Sequence, residues 1–234
     1  MALVSPESRG LRLATRYAVL TLIAVIFCFP LVFMIMSSLK PSQQLLNDTA
    51  SLRAFLPVGD ISFDNYTSAF ERAPVGLFVF NSMLVTGTTV VLSLLICSMA
   101  AFSFVFLHWK GREIVLAVIL ATLIVPFETI AIPMLLLASK LPWLGMEGLE
   151  WGWLNTYRVQ IVPFVADGLT IFLFVQYFKD LPHELIEAAR VEGASWRQVY
   201  LRVVMPLSGP VVATAAILKF LAMYNQYLWP LMVV

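Results

Sequence analysis

Apolar residues in this chain fall into five long stretches separated by short polar ones. Residues 17–39 carry no charge, and neither do residues 74–107. Residues 114–139, 159–178 and 211–234 are as apolar but interrupted. A helix needs about 20 predominantly apolar residues to cross a bilayer, so five spans are predicted, over about 17–39, 75–107, 114–139, 159–178 and 211–234. The second stretch exceeds one span. It is therefore long, tilted, or preceded by a short interfacial piece around Asn81 and Ser82. Prolines punctuate the others. Pro30 is a kink site in the first, Pro126 and Pro133 break the third, and Pro163 lies in the fourth.

The polar stretches read as connections. Residues 40–73 carry Pro41, Pro57, Gly59 and Asn65 and form a loop with a short helical piece over 63–70. Residues 108–113 (HWKGRE) form a tight turn. Residues 140–158 hold Trp143, Trp151 and Trp153, whose amphipathic rings suit the headgroup level. The longest polar segment of the C-terminal half is 180–210, DLPHELIEAARVEGASWRQVYLRVVMPLSGP, flanked by two spans.

Composition makes the membrane assignment firm. The chain is 60% hydrophobic and 12% charged, with mean hydropathy +0.88, against about 25% charged in soluble domains. The fold class is all-α: a polytopic transmembrane helix bundle, read as a single domain over 1–234. A net charge of +1 gives no footprint for nucleic acid. Cys28 and Cys97 both lie in apolar runs and read as small buried hydrophobes, not as a disulfide or metal pair. No cleavage pattern follows the first run, so it reads as a retained anchor. No repeat of 20–50 residues is visible.

Charge asymmetry sets the orientation. With the N-terminus cytoplasmic, the inner segments hold nine Lys and Arg (Arg9, Arg12, Arg16, Lys110, Arg112, Lys179, Arg190, Arg197, Arg202). The longer outer loops hold five (Lys40, Arg53, Arg72, Lys140, Arg158). The positive-inside bias therefore places 180–206 in the cytoplasm.

That segment predicts two short helices. Pro182 suits a first turn, and Glu184 and Glu187 lie where the helix dipole favours acid. Leu185, Ile186, Ala188 and Ala189 form a narrow apolar stripe, and Gly193 suits the position just past the end. Ser195 and Gln198 spell a capping box for the second helix, which has an apolar face of Trp196, Val199, Tyr200 and Val203; Pro206 ends it. Helices this short need a partner surface, either the bundle itself or another protein.

Glu187-Ala188-Ala189, then Gly193, then Val203-Val204-Met205-Pro206 after nine residues, resembles the EAA signature of binding-protein-dependent ABC importer permeases, E-A-A-x3-G-x9-I-x-L-P. Val203 and Met205 replace the usual Ile and Leu. Phe63-Asp64-Asn65-Tyr66, Asn81-Ser82 and Asn225-Gln226-Tyr227-Leu228-Trp229-Pro230-Leu231 resemble the carbohydrate-importing branch, as in maltose and glycerol-3-phosphate systems. The resemblance implies a type I importer fold with a cytoplasmic coupling loop over 180–206. It makes Glu187, Ala188, Ala189, Gly193, Ala194 and Pro206 the residues that engage an ATPase. It implies a second permease subunit, two ATPase subunits that carry ATP and Mg, and an extracytoplasmic solute-binding protein, all at the cell (inner or plasma) membrane and in contact with its lipid. Such permeases usually have six spans; the sixth is expected to be cut from this sequence or absent.

Glu128, Asp167 and Lys219 lie inside spans, where charge must face protein or a water-filled cavity. Glu128, Asp167, Asn225 and Gln226 are the candidates for a solute pathway, through hydrogen bonds to sugar hydroxyls. The competing reading is structural: Lys219 paired with Asp167 or Glu128, and amides bonded between helices. Glu128, between Pro126 and Pro133, is the stronger pathway candidate, because broken helices line cavities. His108 and His183 lack metal-ligand spacing, so no metal is expected. No P-loop, G-x-S-x-G, H-E-x-x-H or C-x-x-C occurs, so no catalytic residue or cofactor is expected on this chain. The leading expectation is a sugar or polyol importer permease. The alternative is a secondary transporter using Glu128, Asp167 and Lys219 as an ion relay; a membrane-embedded enzyme or scaffold is the third class.

Overall fold

The computed structural model describes residues 6–48, 51–145 and 148–234, in two compact units, 1–78 and 79–234. The side chains of Arg9 and Trp143, used above for orientation and interface, lie outside the described residues.

The first unit begins with helix α1, Pro6–Ser38, which runs through Pro30 without ending there. It starts well before the apolar run, because nothing between Pro6 and Tyr17 breaks a helix. Helix α2, Ser42–Asp48, a 3-10 turn at Leu52–Phe55, and helix α3, Asp64–Arg72, fold the following loop against the end of α1. Lys40, only 1% exposed, is the centre of that loop. Its ammonium donates to Asp48 Oδ2 at 2.9 Å and to the Arg53 carbonyl at 2.6 Å. Asn65 donates to the carbonyls of Ser38 and Lys40. Phe55 packs at a tilt against Phe29 and Phe33 of α1. The buried Lys40 ammonium is thus partnered, whereas Ser37 Oγ, at the end of α1, is buried without a hydrogen-bond partner.

Helix α4, Val75–Phe106, is unbroken, matching the long uncharged run. The stretch read as one span over 114–139 is two helices. Arg112–Ala121 (α5), extended by a 3-10 turn at Thr122–Ile124, and Phe127–Ala138 (α6) meet at 107°. Val125 is extended and Pro126 lacks an N–H, so the α ladder cannot cross this point. A small antiparallel pair follows in the connecting loop, β1 Pro142–Gly145 and β2 Gly148–Trp151, with Leu144 opposite Leu149.

The fourth stretch is α7, Tyr157–Ile161, a 3-10 turn at Val162–Phe164, and α8, Gly168–Lys179. The 180–206 segment holds α9, His183–Val191, and α10, Trp196–Val199. A π-turn at Tyr200–Val204 and α11, Met205–Leu207, lead into α12, Gly209–Tyr224, across a 77° bend. Helix α13, Leu228–Val233, follows a break, so the fifth stretch is two helices as well.

Among the described residues, three helices are long and apolar enough to cross a membrane, or up to five if each bent pair is one span. The second unit has one main core. Phe102 and Phe106 of α4 meet Phe174 and Phe178 of α8, with Ile186, Val199 and Val204 packed from the 180–206 segment.

Candidate functional site

Two places draw on the residues singled out in the sequence. The first is the 180–206 segment. Pro182 stands at the N-cap of α9 and not inside its first turn, and Glu184 lies in that turn. Ile186 faces the core, while Leu185, Glu187, Ala188 and Val191 are exposed, Val191 by 88%. The end of α9 explains the spacing of Ala189, Gly193 and Ala194. Gly193 has φ +88°, the left-handed conformation that an L side chain resists. Its N–H donates to the Arg190 carbonyl at 3.1 Å, and the Ala194 N–H donates to Ala189 at 3.0 Å. Those two bonds are a Schellman cap. Arg190 closes over it, donating to the Ala194 carbonyl at 2.6 Å and lying 4.5 Å from the Trp196 ring centre.

Ser195 and Gln198 form the reciprocal capping box of α10. The π-turn beyond it follows from Pro206. The Arg202 carbonyl has no N–H four residues on, and the Met205 N–H reaches Tyr200, five residues back. The segment is pinned to the membrane helices by Tyr200 Oη and Ser98 Oγ, 2.8 Å apart, and by Tyr177 Oη donating to the Leu207 carbonyl. It is thus a rigid double helix, one face in the core and the α9 outer face open.

The second place is the break before α8. Asp167 caps α8: its Oδ1 accepts from the Thr170 N–H at 3.0 Å and its Oδ2 from the Thr170 hydroxyl at 2.9 Å. Lys219 of α12, 8% exposed, donates to the same Oδ2 at 2.7 Å. Ser93 of α4 reaches it at 3.5 Å. Gly168 lets α8 approach α5 closely, since a Cβ there would stand 2.9 Å from the Ile119 carbonyl oxygen.

Beside this pair lies a pocket of about 250 Å³ lined by Phe127, Phe164, Asp167, Thr170, Lys219 and Gln226, among others. The Gln226 amide nitrogen is buried without a hydrogen-bond partner. Asn225, exposed at the end of α12, donates to its own helix at the Leu221 carbonyl. Glu128 is exposed in the first turn of α6 and does not line the pocket. The structure therefore brings Asp167, Lys219 and Gln226 together and leaves Glu128 and Asn225 outside. Thr170 and Ser93 were not singled out in the sequence. Thr170 carries a legible signal, because an Asp three residues before a Thr at a helix start is an N-cap pattern. Near the pocket Trp229 is buried, donating to the Val159 carbonyl at 2.8 Å and meeting Phe127 and Phe164 edge-on.

With this geometry in place, comparison with known proteins is informative. Residues 93–234 match the family described as binding-protein-dependent transport system inner membrane component. The chain is 34% identical over 212 residues to the arabinooligosaccharides transport system permease protein of Halalkalibacterium halodurans, covering 90% of this chain and 72% of that one. It is 34% identical over 218 residues to the lactose transport system permease protein of Rhizobium radiobacter, covering 93% and 74%. The sn-glycerol-3-phosphate transport system permease protein of Yersinia enterocolitica is 30% identical over 163 residues, covering 70% and 54%. In fold, the chain superimposes on a chain of a bacterial ABC transporter involved in import of the acidic polysaccharide alginate. The TM-score is 0.79 at 21% identity, over 100% of this chain and 78% of that one.

Proposed function

The chain belongs to the inner-membrane components of binding-protein-dependent transport systems, and from that membership we propose that it is one permease subunit of an ATP-driven importer for a sugar or related polyol. Its relatives carry names of sugar transport permeases. ATP hydrolysis belongs to separate subunits, and a solute-binding protein delivers the solute from outside. The assembly proposed is two permease subunits, this one and a second, with two ATPase subunits at the cytoplasmic face. The N-terminus lies in the cytoplasm, following the Lys and Arg bias.

One observation carries the coupling role: α9 is held rigidly by its Schellman cap and by Ile186 in the core, yet Leu185, Ala188 and Val191 are left open beside Glu187. An apolar face on a short, rigid, capped helix is suited to a groove in a partner. Closure of an ATPase dimer moves α9, and Tyr200, Tyr177 and the Val199–Val204 core carry that motion into α4, α8 and α12. Gly193→Asp and Glu187→Lys are expected to abolish ATP-driven uptake while the protein remains inserted at normal levels. Uptake at the wild-type rate in both variants sinks the coupling role.

At the other place, the pocket at Asp167 and Gln226 is proposed to line the solute path, with Gln226 offering an unpartnered amide nitrogen. Asn225 and Glu128 sit outside that pocket. The ion-relay alternative needs Glu128 in contact with the Asp167–Lys219 pair, and Glu128 is not at that pocket. Its distinguishing outcome is uptake that collapses with a protonophore at constant ATP.

A further inference from the structure

The pocket beside the α8 break has an unusual charge balance. Among the described residues that line it, Lys219 is the one cation and Asp167 the one anion, and they are bonded to each other at 2.7 Å. Asp167 is oriented by Thr170 and Ser93 as well as by Lys219. The remaining lining is apolar or aromatic except for Thr170, whose hydroxyl is already committed to Asp167, and Gln226, whose amide nitrogen is buried and unpartnered. A lone ammonium in such a site draws anions, because low-dielectric walls focus its field. An ammonium held by a carboxylate does not.

We propose that Asp167 is a specificity residue: by neutralising Lys219 it keeps this pocket electroneutral, so that the pocket admits uncharged polyhydroxylated solutes, hydrogen-bonded by Gln226, and disfavours those bearing phosphate or carboxylate. The proposal rests on the reading that this pocket lines the solute path. In it, the pair is the element that sets the solute's charge, and Gln226 is the element that meets a hydroxyl. About 250 Å³ is the scale of one sugar ring, not of an oligosaccharide, so a longer solute would pass ring by ring.

The test uses the assembled transporter in nanodiscs, with Gln226→Cys in a Cys28→Ser background. Cys28 is the exposed native thiol of the two in this chain, while Cys97 is buried. Three methanethiosulfonates, one neutral, one anionic and one cationic, are applied during ATP turnover. Their rates at the thiol introduced by Gln226→Cys are read by peptide mass spectrometry and divided by their rates with free cysteine. With the pair intact, anionic and neutral reagents are expected to react at similar normalised rates. Asp167→Asn keeps the helix cap but frees the ammonium, and is expected to raise the anionic-to-neutral ratio by about tenfold. Lys219→Met frees the carboxylate and is expected to lower that ratio and raise the cationic one. Opposite shifts in the two variants separate a charge effect from loosened packing, which moves all reagents the same way. Modification with an unchanged ratio in both variants overturns the charge filter alone. If no reagent reaches the introduced thiol in any background, the pocket is not on an aqueous path, and the filter falls together with the pathway reading.

Discussion

Gly168→Ala tests how closely α5 and α8 are packed under the ion pair. Gly168 is the first residue of α8, directly after Asp167. An added Cβ meets the Ile119 carbonyl oxygen at 2.9 Å and Leu123 Cγ and Cδ2 at 3.1 and 3.2 Å. Ordinary contact begins at 3.4 Å, so the two helices must part by about 0.5 Å, or Leu123 and the backbone must give. The carbonyl has little room to retreat, because it already accepts the Thr122 hydroxyl at 2.6 Å. Overpacking of this kind costs about 1–3 kcal/mol, and at the first residue of the helix alanine's better interior propensity returns little of it. A net loss of roughly 1–3 kcal/mol is expected, read as the shift in the unfolding midpoint of the purified chain titrated with SDS in detergent micelles. Adding Leu123→Ala relieves the side-chain part of the clash but leaves the carbonyl part, so a double-mutant cycle should show partial rescue. A Gly168→Ala protein as stable as wild type would refute the close approach, and with it the rigid seat assigned to Asp167.

Gly193 makes the opposite case: its φ is +88° but a Cβ there meets nothing within 4 Å. Gly193→Ala is expected to cost about 1 kcal/mol through conformation alone, and Gly193→Asn less, since Asn tolerates the left-handed region; hydrogen exchange across 183–200 reads this as faster exchange in the order Gly, Asn, Ala, and equal protection in all three contradicts it. In the loop that follows α1, the Lys40 ammonium bonded to Asp48 holds that carboxyl below its ordinary value of 3.8. The pair's contribution is therefore complete above that value and lost as pH falls below it through the folded pKa. Limited proteolysis of 51–62 should accelerate on acidification in the wild type. In Asp48→Asn it should be faster at neutral pH and nearly independent of pH over that window.

How much of this is legible in the sequence varies by element. The five apolar stretches are, because a run of 20 or so residues with little or no charge is too apolar to stay in water and long enough to cross a bilayer. The double helix of 180–206 is too, since Gly193, Ser195 and Gln198 act on their own backbone and need no tertiary context. The breaks inside spans are only half legible. Pro126 marks where α5 must stop, but the 107° turn depends on what α6 packs against, which a linear pattern does not carry. The β1–β2 pair escapes the pattern because four-residue strands with glycines at their ends look like loop. Lys219 has two candidate partners at equal sequence plausibility, and only the fold places Asp167 at 2.7 Å and Glu128 elsewhere. The place of Glu128 outside that pocket is illegible for the same reason: proline neighbours locate a break but not the direction in which its side chain faces. The pocket that Gln226 lines is shared with Phe127, Phe164 and residues of α8, all distant in sequence.

Helix α9 is proposed as the surface where an ATP-hydrolysing subunit engages this chain. That role is tested most directly by placing a photo-crosslinking amino acid at Val191, the most exposed apolar position of α9, in the transporter purified through a tag on this chain. Crosslinks to a subunit whose peptides include a P-loop are expected, lost when Gly193→Asp is added, with membrane insertion unchanged. Crosslinks confined to lipid or to this chain itself, or crosslinks to that subunit undiminished by Gly193→Asp, would contradict it.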